Sequence, residues 1–194
     1  MSYHVYTTDG IILKRTPFGE ANILLHILTS DLGLIIASAR SARLYVSKLR
    51  PALQESAYVS VSCIKGKNGW KITNVASKGS FYFDYPEHTH KVVSQVFLIL
   101  LKMIVGEIPE SNIFTIVMSG LVSLKEINAS NVAGFEALII LRILNELGYV
   151  GSNSEIENFL ENKQDWGSDI LELISSNKTS VVSVINKSLK VSQL

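Results

Sequence analysis

Apolar and polar positions change their spacing once along this chain, near FYFDYPEHTH at residues 81–90. Before that segment, short β-branched and aromatic runs alternate with turn residues. YHVYTTDGIILKR (3–15), ANILLHILTS (21–30), GLIIASAR (33–40), SAYVSVSCIKG (56–66) and GWKITNVAS (69–77) each read as a strand. Asp9-Gly10 punctuates the first, and Ser30-Asp31-Leu32-Gly33 separates the second from the third. KGKNG joins the last two, and its Asn68-Gly69 suits a tight hairpin turn. Short strands in close succession, with no helical period among them, predict a small β-barrel of the five-stranded OB type.

From about His88 the apolar spacing becomes three and four. Val92, Val93, Val96, Phe97, Leu100, Leu101 and Ile104 form a broad stripe, and Pro109 is the expected stop. Ile113, Ile116, Val117, Leu121 and Leu124 mark a second helix. A third is expected from a cap at Asn131 to Gly148, with Phe135, Leu138, Ile139, Ile143 and Leu147 inward. SEIENFLEN (154–162), DILELISS (169–176) and VVSVINKSLKVSQL (181–194) read as three further helices. The expected class is therefore α+β. Residues 1–84 form an OB-fold nucleic-acid-binding domain, and residues 85–194 an all-α domain for protein interaction.

Composition supports packing throughout. Of 194 residues, 47% are apolar and 18% charged, which fits a globular core and not a disordered chain. The single cysteine, Cys63, excludes an internal disulfide and a cysteine-rich metal site, and fits a reduced cytosolic compartment. The opening MSYHVYTTDG lacks the basic and apolar regions of a secretory signal. VVSQVFLILLKMIVGEI (92–108) is interrupted by Gln95 and Lys102 and reads as a buried helix, not a membrane span.

A net charge of +1 conceals an asymmetry. Residues 1–86 carry ten Lys/Arg and five Asp/Glu, or +5; residues 87–194 carry eight and twelve, or −4. Such halves suggest that the first faces a polyanion. Its longest irregular stretch is SARSARLYVSKLR (38–50), which reads as a mobile basic loop holding Arg40, Arg43, Lys48 and Arg50. Cations of this kind neutralise phosphates and release counterions, and Tyr45 offers a surface on which a base can stack. The alternatives are a loop charged only for solubility and a Tyr45 packed on its own barrel. Lys14-Arg15 and the hairpin lysines Lys65 and Lys67 extend the candidate track.

Little else suggests chemistry. There is no P-loop, GxGxxG or GxSxG. Cys63 lies in an alternating strand with no His beside it and reads as a buried residue. Glu87-His88-Thr89-His90 has the residue types of a metal site, but no third His is near in sequence, so a solvated junction is the better reading. Glu155 and Glu157 sit among Asn and Ser and read as a solvated helix face. The expectation is a protein without enzymatic activity, metal or cofactor.

GIILK (10–14), Gly19-Glu20, ILLHILTSDLG (23–33), ASARSAR (37–43) and KLRPALQ (48–54) follow one another in the order seen in the bacterial RecO family, which this chain resembles. LRILNELGY (141–149) is similar to a helix of the same family. The resemblance implies a non-catalytic, cytoplasmic, nucleoid-associated protein of DNA repair and recombination. It would bind single- and double-stranded DNA, anneal complementary strands and, with RecR, assist loading of RecA. It also implies contact with the acidic, apolar C-terminal tail of single-strand-binding protein, for which Arg142 is the candidate cation. The family often carries a cysteine-rich zinc module after Leu-Gly-Tyr. Here VGSNSEIENFLENK follows, without Cys, so that lobe is expected to be held by packing in a shortened, zinc-free relative. An OB-fold adaptor that has lost DNA binding and an RNA-binding OB protein are the other readings.

Overall fold

The computed structural model describes residues 4–104, 106–107, 111–151 and 155–191. The chain divides into two compact units, one of Met1–Tyr85 with Ile104–Ser111 and one of Pro86–Met103 with Asn112–Leu194. The segment Ile104–Ser111 thus groups with the N-terminal unit, on the other side of the expected boundary at 84/85. One contact accounts for part of this. Glu107 forms an ion pair with Lys65, which holds the Glu107 carboxyl below its usual range.

The N-terminal unit is a closed barrel of five strands, β1 (Val5–Phe18), β2 (Asn22–Thr29), β3 (Gly33–Ala39), β4 (Ala57–Gly66) and β5 (Gly69–Ser80). Their order around the barrel is β1-β2-β3-β5-β4. All neighbours are antiparallel except β3 and β5, which meet in parallel at Ala37/Trp70 and Ser38/Lys71. Period-two alternation sends Ile12, Ile23, Leu25, Ile27, Ile35, Val59, Val61, Cys63 and Ile72 into one core. Gly10 does not end the first strand. It lies within β1, facing Thr29 and Val59, where an added Cβ would stand 2.7 Å from Ile27 Cγ2. A bulge between Ile12 and Lys14 then bends this long strand, allowing it to pair with both β2 and β4. In the β4–β5 hairpin it is Gly69, not Asn68, that takes the left-handed conformation, with φ +89°.

The second unit contains α1 (His90–Met103), α2 (Ser111–Leu124), α3 (Val132–Glu146), α4 (Ser168–Ser176) and α5 (Lys178–Val191). The expected stop at Pro109 lies outside the described residues. Helix α3 is the hub, buried from Ala137 through Leu144 and packed against α1, α4 and α5. Gly148, at φ +77°, closes its C-terminal end, with Tyr149 N donating to Leu144 O. Asn131 occupies the N-cap position but makes no side-chain capping bond. SEIENFLEN yields only a 3-10 turn, Glu157–Phe159. Its few apolar residues are spent as single anchors, Ile156 and Phe159 being buried, so no continuous helical face forms.

Gly120 of α2 shows how tight this unit is. A Cβ there would lie 2.6 Å from Ile139 Cδ1 and 3.0 Å from the Trp166 ring. Gly120→Ala gains up to about 1 kcal/mol of helix propensity, but overpacking costs about 1–3 kcal/mol. The expected result is a net loss of roughly 1 kcal/mol, read by urea unfolding followed through Trp166 fluorescence.

Candidate nucleic-acid interface

Between β3 and β4 the chain forms a series of tight turns. Leu44 N donates to Ser41 O, Ser47 N to Leu44 O and Arg50 N to Ser47 O, at 3.1–3.3 Å. Ala42 and Leu53 are fully buried and Leu49 is partly buried against the barrel core. Apolar anchors at both ends thus hold the segment down, while Arg40, Arg43, Lys48 and Arg50 remain exposed. Tyr45 does not pack on the barrel; it is 92% exposed.

The same segment is docked on the β1–β2 turn. Arg43 N donates to Ala21 O at 2.9 Å, Arg43 Nη1 to Gly19 O at 3.2 Å, and Ser41 N to Asn22 Oδ1 at 2.9 Å. Ser41 adopts φ +52°, a left-handed conformation that a non-glycine residue takes only when its surroundings impose it. Arg43 therefore has a structural bond as well as an exposed charge.

Strand register connects this corner to the hairpin lysines. Thr16 of β1 pairs with Leu24, Leu24 with Ser38, and Ser38 with Lys71. Alternation with the buried Ile23, Leu25, Ala37, Ala39, Trp70 and Ile72 turns Leu24, Ser38 and Lys71 outward. Lys71 is a cation that sequence reading missed, because a lone Lys in a strand carries no cluster signal. Beyond it, Lys67 is exposed at the hairpin tip. Lys65 is already occupied, by Glu107 and by the face of Trp70 at 5.2 Å.

Lys14 and Arg15 do not act as a pair. Lys14 is exposed and pairs with His26, which pairs with Ile36, giving an outward row of three. That row crosses β3 four residues before Arg40, about 13 Å away along the strand. Burial, with Lys14 beside it, lowers the His26 pKa, so the imidazole is neutral at pH 7. Arg15 is half-buried opposite the core residue Leu25, and its Nε is buried without a partner. The bulge before Lys14 sets this phase.

Arg142 was the candidate cation for an acidic tail, and the structure places it elsewhere. It is 1% exposed. Its Nε donates to Phe159 O at 3.0 Å and its Nη1 to Asp165 O at 2.6 Å, while the guanidinium lies 4.5 Å from the Trp166 ring centroid. Burial lowers its pKa to about 10, which leaves it charged at neutral pH. A side chain enclosed in this way presents no surface cation. It binds segment 157–166 to α3, in the lobe where packing was expected to hold the chain.

The remaining candidates have structural surroundings. Cys63 is buried, and burial raises its thiol to about 11, away from nucleophilic use. His88 Nε2 lies 3.0 Å from Ile127 O. Among the described residues no three His, Cys, Asp or Glu side chains gather as metal ligands, and no helix is long and apolar enough to cross a membrane.

The barrel coincides with a known family. The family model "Recombination protein O N terminal" matches residues 1–81. Over these residues the chain is similar to RecO. A DNA repair protein RecO of Dehalococcoides mccartyi is 41% identical over 78 residues, 40% of this chain and 31% of that protein. The likeness to RecO also extends into the helices. The RecO of Thermodesulfovibrio yellowstonii is 29% identical over 150 residues, 75% of this chain and 58% of the relative. That of Desulfitobacterium hafniense is 25% identical over 147 residues, again 75% of this chain and 52% of the relative. The chain therefore spans less than two thirds of the length of these RecO proteins.

Proposed function

We propose that this chain is a non-catalytic DNA-binding protein of repair and recombination. In this reading it binds single- and double-stranded DNA through the barrel and anneals complementary strands. The observation that carries the reading is the anchored turn segment. Four exposed cations and an exposed tyrosine stand on a barrel whose residues match the RecO N-terminal model. Cations held over phosphates screen strand repulsion, which is what annealing requires, and they do so with little regard to sequence. Lys71 and Lys67 continue the track.

RecR, the tail of single-strand-binding protein and, indirectly, RecA are the proposed protein partners, acting in the bacterial cytoplasm at the nucleoid. The tail contact is not assigned to Arg142. Titrating the purified chain against labelled DNA strands and matched RNA strands at several salt concentrations tests the reading. Salt-sensitive DNA binding with accelerated annealing is expected. Absence of DNA binding at low salt, or binding confined to RNA, would reject it.

A further inference from the structure

The docking bonds bring a second aromatic side chain to the basic segment. Phe18 ends β1 and pairs with Asn22 across the β1–β2 turn. Gly19, Ala21 and Asn22, its near neighbours in that turn, are the three residues that receive the hydrogen bonds of Ser41 and Arg43. Phe18 is 55% exposed, and across the docked junction Leu44, Tyr45 and Val46 are 47%, 92% and 82% exposed. Water-facing apolar side chains are common singly. Here they come from two connections joined by three hydrogen bonds, and one of the two carries four cations. Glu20 is the acid in the β1–β2 turn, and it too is exposed.

We propose that Phe18 and the Leu44–Tyr45–Val46 tip form a clamp for unpaired bases, with the surrounding cations holding the phosphates on either side. The inference rests on the DNA-binding reading and adds to it a selector for exposed bases. Bases in a duplex are stacked on one another and offer only their edges. Bases of an open strand offer a flat apolar face, which an exposed ring binds whatever the sequence. An anionic membrane surface also attracts cations with apolar neighbours, but membrane-surface segments present a long continuous apolar face. Here the apolar group is a few side chains wide, and it gives way to the outward row Thr16, Leu24, Ser38 and Lys71, in which Leu24 is the one apolar member.

The test compares two labelled strands of equal length and phosphate number, one with bases and one with a run of abasic sites. The intact protein is expected to bind the base-bearing strand about tenfold or more tightly at equal salt. Phe18→Ala and Tyr45→Ala should each weaken that strand roughly five- to a hundredfold and leave the abasic strand unchanged. Phe18→Leu, which keeps an apolar side chain but has no ring, should lose the share of base-dependent affinity that Phe18→Ala loses, while unfolding at the wild-type temperature. Phe18→Trp should retain it. Equal binding of the two strands by the wild type overturns the clamp, as does full affinity in Phe18→Leu or a loss by Phe18→Ala that is the same for both strands. A wild type that binds neither strand removes the underlying DNA reading as well. If such a protein instead binds vesicles containing anionic phospholipid, the tip is a membrane contact.

Discussion

Replacing Arg40, Arg43, Lys48 and Arg50 together by Ala is expected to remove most of the salt dependence of oligonucleotide binding. Each phosphate neutralised on a single strand contributes about −0.7 to the slope of log K against log salt, so four contacts give roughly −3. A slope of that size is about a thousandfold in affinity between 1 M and 0.1 M salt. The quadruple variant should therefore approach wild-type binding at high salt and fall far below it at low salt, with annealing slowed in parallel. Its fold should persist. All four side chains are exposed, and exposed charges contribute little to stability. Arg43 alone adds a bond, to Gly19 O at 3.2 Å, and the backbone bonds of Ser41 and Arg43 remain in the variant. Binding that keeps its wild-type slope would show that the segment does not touch phosphate. The residual slope after mutation measures what Lys67, Lys71 and Lys14 contribute.

Arg142→Ala is expected to cost the helical unit about 3 kcal/mol, taking two charge-assisted hydrogen bonds at about 1.5 kcal/mol or more each. The larger part of that loss is desolvation. Phe159 O and Asp165 O would be left facing a cavity, and the Trp166 ring would lose the cation stacked on it. Arg142→Lys should rescue little, because an ammonium has no planar fork to reach these carbonyls while staying over the indole. The two tryptophans make the measurement local. Trp70 lies in the barrel and Trp166 in the helical unit, so a Trp70→Phe background reports the second alone. Early unfolding of the Trp166 signal, with oligonucleotide binding retained, is the expected pattern. An unchanged unfolding midpoint would mean that Arg142 does not hold segment 157–166 to α3.

The two expectations differ because apolar pattern and charge count report different things. Strand alternation and the three-four spacing depend on which side of an element meets water, and that information is local. All five strands of the barrel and the inner face of α3 were accordingly legible in the residues. Asp9-Gly10 was less so, since the residues that favour a turn also suit a close approach between strands, and only the contact with Ile27 distinguishes the two.

What a charged side chain faces is a different matter. Arg40 and Arg142 are the same residue type, one exposed and one enclosed by Trp166 and three carbonyls. Nothing within a few residues of Arg142 indicates that a segment about 20 residues later will fold back over it. Strand alternation sends Lys14 and Arg15 to opposite faces, and a bulge whose position depends on pairing with β2 decides that Lys14 is the one facing water. Lys65 is held by Glu107, 42 positions away. Phe18 entered the site only through hydrogen bonds from Ser41 and Arg43. The sequence by itself determined the order of the elements, the barrel core and the basic character of the β3–β4 connection, because hydrophobic burial follows a short period along the chain. Tertiary structure alone decided which cations reach solvent and which aromatic rings stand beside them, because those outcomes depend on contacts between residues far apart in sequence.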